Sequence, residues 1–503
     1  VVFSAGNSGS FTGTVGYPAG NPGVLAVGAS DDLDEVAWFS SRGPSVQTDE
    51  IKPWLVAPGT QILSALPGGG YYLNNGTSMA APHVVGTIAL LLSANPTLSR
   101  SEVNEILAET AVPIAAAHPN MHSGWGRLDA YAAVASQTNA GTLTGQVTAN
   151  NLPLPGVVLT ITTPSGGQFT VTTGQDGRFT APLQSGSYAI TTQPFGYATF
   201  TAAGAVVSNG QTTTRHIALT KLPGGQVQGF VRASAGYLPL VDARVAVTGT
   251  PVTGVTDGNG RFTLNLPSGT YELVVTKVGY QQQRTTVWLA NGTTAVPYFV
   301  LADAPSVLLV DSGQWYFGSR AAQHAEALTA INYSFDTWTV RDPFGSVPTL
   351  DDLAPYDAVI WSSPLDSPGY LSANNVITDY LGLGGHLFIS GQNVGSYDGV
   401  GLDTQLWWYR DLNAALLGKT AVTQTISGSS NSLFVGLAFG LNGGSSGNNQ
   451  VSPDVSAPRS TTFAQPAFTY EDGRAAGLTS GYCTPFRLVY LGFGLEGVSE
   501  AAD

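Results

Sequence analysis

Cysteine is nearly absent. Of 503 residues only Cys483 carries a thiol, so no intrachain disulfide can form. That poverty alone leaves both an exported and a cytosolic protein open. Charge is sparse as well: charged residues make up 10% of the chain against 43% hydrophobic ones. A chain with so much apolar surface to bury is not a disordered one. Positive charge is the scarcer sign, and the formal net charge is −14. Phosphate backbones repel such a chain, so nucleic acid is excluded as an expected partner. Long apolar runs are also lacking. None reaches the roughly 18 residues needed to cross a bilayer, and the longest, residues 84–94, reads as a buried core helix, so no membrane span is expected. The chain opens Val1-Val2-Phe3-Ser4 with no Met and no signal peptide, and stops at Ala501-Ala502-Asp503 just after the strand-like run Arg487-Leu488-Val489-Tyr490-Leu491. This reads as a fragment cut at both ends.

What is present divides the chain into zones, as the length of three or four domains leads one to expect. Gly (62) and Pro (30) cluster in turn-like groups, as in β-rich proteins. Residues 1–136 mix short apolar runs with a helix over 78–93 and another over 99–110, the latter opened by a capping box of Ser99 and Glu102. This zone reads as α/β. Residues 141–302 show Thr/Val/Gly alternation with no helical period, which predicts strands. They contain a repeat: Thr173-Gly-Gln-Asp-Gly-Arg-Phe-Thr180 returns as Thr256-Asp-Gly-Asn-Gly-Arg-Phe-Thr263. Ser185-Gly-Ser-Tyr188 returns as Ser268-Gly-Thr-Tyr271, and Phe195-Gly-Tyr197 as Val278-Gly-Tyr280. Two copies of one all-β sandwich, 141–221 and 225–302, account for this, with Asp-Gly and Asn-Gly supplying the positive φ of tight hairpin turns. From 305 onward strands and helices alternate: strands over 306–310, 356–361 and 386–390, helices over 321–330 and 374–383. That spacing predicts a parallel, doubly wound α/β sheet.

The string that carries chemistry is Asn75-Gly76-Thr77-Ser78-Met79-Ala80-Ala81-Pro82-His83. Small residues precede a serine at the start of a helix, where the positive end of the helix dipole favours developing negative charge. Pro82 is expected early in the helix, where its missing N–H costs nothing. A serine here could equally be a plain N-cap. The whole string, however, resembles the nucleophile signature of the subtilisin-like serine peptidases, and four more strings follow that family's order: Ser4-Ala5-Gly6-Asn7, Phe39-Ser40-Ser41-Arg42-Gly43-Pro44, Val56-Ala57-Pro58-Gly59 and Gly124-Trp125-Gly126-Arg127-Leu128-Asp129-Ala130. The resemblance spans residues 1–136, the C-terminal half of the family's domain. It implies that Ser78 is the acylating nucleophile, that Asn7 donates its amide to the oxyanion, and that Ser4, Ala5 and Gly6 line a wall of the substrate pocket. Asn7 also separates this chain from the acid-acting sedolisin branch, which places an aspartate there. Protein or peptide substrates follow, with no cofactor. The family allows calcium, but no site for it is legible.

In the family the triad aspartate and histidine precede the Asn7 segment, and here only six residues do, none of them Asp or His. His83, His118 and His122 are poor substitutes, and His216, His324 and His386 belong to other zones. Without a base Ser78 is an ordinary alcohol, so the chain as it stands is expected to be inert.

Each β repeat resembles the carboxypeptidase regulatory-like, prealbumin-like sandwich, a resemblance that implies either a spacer or a module adhering to carbohydrate or protein surfaces; with no exposed aromatic stripe legible, it is read here as a spacer. The last zone, 305–503, resembles the class I glutamine amidotransferase-like, flavodoxin-related fold. Its nucleophile turn would be Gly391-Gln392-Asn393-Val394-Gly395, with Asn393 where a thiol belongs, so amidotransfer is not expected. Cys483 reads as incidental. Asp311-Ser312-Gly313 is a candidate binding turn. Asn75-Gly-Thr77 and Asn291-Gly-Thr293 match a glycosylation pattern that carries little weight. The expectation is a secreted or cell-surface serine endopeptidase in fragment form, of unknown oligomeric state. The alternative is a surface adhesion or scaffolding protein with a relic peptidase segment.

Overall fold

The computed structural model describes residues 1–45, 47–65, 71–137, 140–315, 318–400, 406–420, 424–442, 450–482 and 484–499; Cys483 lies outside them. The chain forms two compact units, Val1–Gly224 with Leu266–Ser268, and Gly225–Asn265 with Gly269–Asp503.

The first unit opens with a parallel sheet in spatial order β1 (Val2–Ser4), β2 (Leu25–Ser30), β3 (Leu55–Pro58). All six residues of β2 are buried, as in a strand covered on both faces. Helix α1 (Thr77–Ala94) packs against all three strands. Its buried residues Thr77, Ala80, Val84, Thr87 and Leu91 recur every three to four positions, the spacing of one helix face. With 18 residues and a mean hydropathy of 1.4, α1 is long and apolar enough to cross a membrane by length and composition. That corrects the sequence expectation of a shorter run, although its packing on the sheet makes it a helix of the folded unit. A second correction concerns Pro82. It is the sixth residue of α1, so the N–H it lacks is the one that would bond the Ser78 carbonyl.

Helix α2 (Arg100–Thr110) begins with the expected capping box, Ser99 Oγ accepting from Glu102 N and the Glu102 carboxylate from Ser99 N. Helix α3 (Ala130–Ser136) is capped by Asp129, which accepts from Ala132 N.

The first β repeat packs a five-stranded sheet built around Ala140–Ala149 against a four-stranded one of order Phe200–Val207, Gly186–Thr192, Val158–Thr162, Gln168–Thr172. Strict alternation of burial along Ala140–Ala149 turns Leu143 and Val147 into a core with Leu159, Ile161, Phe179 and Ile190. The second repeat, mostly in the second unit, also forms two sheets, here of four strands each. The repeated turns do what their sequence predicts, with Gly177 at φ 70° and Gly260 at φ 72°. The repeated threonines have a role the sequence did not reveal. Thr173 Oγ1 accepts from Val157 N and donates to Leu154 O, and Thr256 Oγ1 does the same with Ala243 N and Leu240 O.

The remainder of the second unit is one eleven-stranded sheet. Five parallel strands lie in spatial order Phe335–Thr339, Val307–Asp311, Ala358–Ser362, His386–Ser390, Arg487–Leu491, which is 2-1-3-4-5 in chain order. Helices α4 (Ala322–Ala330), α5 (Leu350–Leu353), α6 (Asn374–Gly382) and α7 (Val394–Asp398) alternate with these strands. The reading of this whole zone as parallel needs correction. Beyond Arg487–Leu491 the sheet continues antiparallel through Ala475–Ser480, Ala464–Tyr470, Gln424–Gly428 and Ala438–Leu441. Among the described residues no crossover helix lies between these last strands, and antiparallel pairing needs none.

Candidate active site

Asn7 and Ser78 meet although 70 residues separate them. Ser4 ends β1, and Ala5 N donates to Val27 O at 2.8 Å, which leads the chain off the sheet into the Gly6–Gly9 turn. The Phe39–Pro44 string clamps that turn. Ser41 N donates to Gly6 O at 2.9 Å, Ser41 Oγ accepts from Ser8 N at 3.1 Å, and Gly9 N donates to Phe39 O at 2.9 Å. From the other side, Gly59 O of the Val56–Gly59 string accepts Gly76 N at 2.8 Å. The Gly124–Ala130 string lies along β3, Val56 N donating to Gly126 O and Leu128 N to Val56 O. All five sequence strings therefore belong to one folded segment.

At its centre, Asn7 Oδ1 accepts from both Thr77 N and Thr77 Oγ1 at 2.9 Å. Two donors on one atom identify it as the carbonyl oxygen, so Asn7 Nδ2 is the end left unpaired among the described residues. Gly76, the N-cap of α1, has φ 150°, a value side chains rarely adopt. A Cβ placed on it would lie 3.4 Å from Asn7 Nδ2 and 3.6 Å from Ser78 N. The absent methyl leaves a hollow flanked by two N–H groups. Ser78 N sits at the second residue of α1, where no intrahelical acceptor exists. Ser78 is exposed, and its hydroxyl bonds to nothing among the described residues, which sets aside the N-cap reading. An exposed hydroxyl beside two converging donors is an arrangement able to hold a tetrahedral oxyanion.

Ser4 and Gly6 are half-buried and Ala5 is buried at the start of this turn, with Gly6 N donating to Thr77 Oγ1 at 3.3 Å. No described histidine reaches Ser78. The exposed His83 is bonded through Nδ1 to Met79 O at 2.8 Å, on the backbone of its own helix. Asn75 is buried, its Oδ1 accepting from Gln61 N at 2.7 Å, and burial shields the side chain that the glycosylation pattern names. Sequence reasoning missed Thr77 and Ser41. Nothing in their spacing shows that their hydroxyls fold back onto the Asn7 turn.

In the second unit, Asn393 occupies the turn between the strand His386–Ser390 and α7 at φ 69°, its Oδ1 accepting from Ser452 Oγ and Lys419 Nζ. Asp311 is buried and accepts from Gly313 N at 3.2 Å, an internal turn bond. Burial pushes the carboxyls of Asp366, Asp398 and Asp454 up to about 6, although each accepts at least three hydrogen bonds. Burial holds His324, bonded through Nε2 to Ser390 Oγ at 2.7 Å, down to about 4. Among the described residues no group of three or more His, Cys, Asp or Glu is placed to hold a metal ion.

Parts of the chain are similar to known proteins. Residues 1–126 match the Subtilase family, and residues 142–220 and 226–302 each match the Carboxypeptidase regulatory-like domain. The chain is 47% identical over 113 residues to subtilisin of Bacillus pumilus, covering 22% of this chain and 38% of that protein. It is 43% identical over 155 residues to bacillopeptidase F of Bacillus subtilis (strain 168), covering 29% and 11%. A solved structure, the self-cleaved protease domain of PatA, is 35% identical over 27% of this chain and 48% of that one, with a TM-score of 0.22. The chain thus spans well under half the length of these curated relatives. Residues 1–126 are thus similar to subtilase-family serine peptidases, and the two β repeats to the Carboxypeptidase regulatory-like domain.

Proposed function

We propose that residues 1–126 supply the nucleophile and the oxyanion donors of a subtilisin-like serine endopeptidase that acts on proteins outside the cell. Ser78 Oγ attacks the scissile carbonyl, losing its proton to a base that these residues do not provide. The carbonyl oxygen becomes an oxyanion and settles into the hollow over Gly76, where Ser78 N and Asn7 Nδ2 donate to it. Collapse expels the amine and leaves an acyl ester on Ser78, which water then hydrolyses through the same hollow. The observation that carries this reading is the convergence of two unpaired donors beside an exposed, unbonded serine.

The same reading makes the 503-residue chain inert, because no described histidine approaches Ser78. The β repeats then act as spacers. For residues 305–503 we infer a flavodoxin-like, amidotransferase-related domain, supported by the 2-1-3-4-5 strand order and the left-handed turn at Asn393. It would lack amidotransfer, since an amide cannot serve as that nucleophile. The test is fluorophosphonate labelling of this chain and of the complete natural open reading frame. The expected result is no labelling of the chain, and labelling of the complete protein that vanishes in Ser78→Ala. A complete protein that never labels would remove the peptidase reading and favour a surface adhesion or scaffolding role.

A further inference from the structure

Helix α3 and the first β repeat, both in the first unit, enclose a pocket of 390 Å³. It is well away from Ser78. Gln137, just past α3, is bonded to Asn95 at the far end of α1, 17 residues and about 25 Å along the helix from the serine. One wall is aromatic: the rings of Tyr131 and Phe169 lie 5.5 Å apart at 33°, and Tyr131 is 47% exposed. Tyr188 forms the floor, locked by its hydroxyl donating to Gln184 O at 2.8 Å. Thr163, Ser165, Gln184 and Ser185 add uncharged polar residues to the lining, beside the apolar Val134, Ala135 and Pro164. No acidic, basic or histidine side chain lines it.

From this chemistry we infer that the pocket is a binding site for a neutral carbohydrate of about one or two sugar rings. The volume is in the range of ligand pockets. An aromatic wall packs against the C–H face of a pyranose, while hydroxyl and amide groups of the lining bond its ring hydroxyls. A phosphate, carboxylate or amine would find no counter-charge there. A purely apolar side chain would strip water from the polar lining groups without replacing their hydrogen bonds.

The second repeat supplies an internal comparison. At the constant offset of 83 residues Tyr188 returns as Tyr271, but Phe169 becomes Val252 and Gln184 becomes Pro267. The second copy therefore folds without the ring and the amide; in the first copy Phe169 packs in part against the sandwich core and, with Gln184, also lines the pocket. Sequence reading found no aromatic stripe because Tyr131 and Phe169 come from different domains.

The test is saturation-transfer NMR on the 503-residue chain with maltose, cellobiose and N,N′-diacetylchitobiose as probes. Transfer to at least one disaccharide is expected, falling at least five-fold in Tyr131→Ala and in Gln184→Ala and unchanged in Trp288→Ala, which removes an exposed ring elsewhere. Ser165→Trp, at an exposed turn position, fills the pocket without disturbing the core and should abolish transfer even if Tyr131→Ala melts early. Absence of transfer to all three sugars overturns the inference, as does transfer that survives Ser165→Trp. Binding of N-acetylphenylalaninamide with no sugar signal would overturn it in favour of a side-chain pocket.

Discussion

Thr77 gives both its amide and its hydroxyl hydrogen to one oxygen of Asn7, and this fixes which end of the Asn7 amide faces the Gly76 hollow. A freely turning amide would present its oxygen to a developing oxyanion for part of the time and repel it. Thr77→Val keeps the backbone donor and the side-chain volume but removes the hydroxyl donor. In the complete protein the expected effect is about a ten-fold slower acylation of Ser78, the size of one net hydrogen bond of about 1–1.5 kcal/mol. The rate of fluorophosphonate labelling measures it. A substitution that left the rate unchanged would show that the backbone N–H of Thr77 orients the amide alone. The Asn7 and Ser78 strings could be read from the sequence because each is contiguous. The bond that aligns them joins residues 70 apart and carries no local signal.

The β repeats show how one buried hydroxyl can hold an element together. Thr173 and Thr256 each join an N–H and a C=O of the neighbouring strand segment that have no other partner shown. Replacing either by Val keeps the shape and leaves two buried polar groups unsatisfied, at about 1–3 kcal/mol each. Thr173→Val and Thr256→Val should therefore each cost about 2–5 kcal/mol, seen as earlier melting of the repeat that carries the change. Markedly unequal losses would mean that the two copies are not held by the same device. At this scale the sequence was informative. The repeat, its hairpin turns and its alternating strands were all legible, as were three strands and two helices of the parallel sheet to within a residue or two, but not its edge strand Phe335–Thr339 or the short helices Leu350–Leu353 and Val394–Asp398. The antiparallel strands between 414 and 480 were not, because short strands with irregular alternation resemble loops when read locally. The start of α1 was legible to one residue, but Pro82 was judged costless although it is the sixth helical residue, past the first turn whose N–H groups lack acceptors anyway.

For the second unit as a whole, buried acids set the response to pH. Asp366, Asp398 and Asp454 titrate at about 6 in the fold against 3.8 when unfolded. A raised carboxyl stabilises the fold fully below its unfolded value, and that contribution is lost as pH climbs from about 4 through 6. His324, held at about 4 against 6.5, acts the other way and loses its contribution as pH falls through the same window. Three groups outweigh one, so this unit should melt at higher temperature at pH 5 than at pH 7.5. Each carboxyl contributes on the order of 1–3 kcal/mol. Asp366→Asn should reduce that difference in scanning calorimetry, and a melting temperature that rose steadily from pH 5 to 7.5 would contradict the account. The strand order of this sheet also governs time. His386 pairs with Arg487, 101 residues further on, so the fourth parallel strand waits for its neighbour while those residues are made. At about 5–20 residues per second of synthesis, an apolar edge stays open for about 5–20 seconds, long enough to meet a chaperone or another nascent chain. Ending the chain before Arg487 would make that interval permanent, and the product should collect in the insoluble fraction.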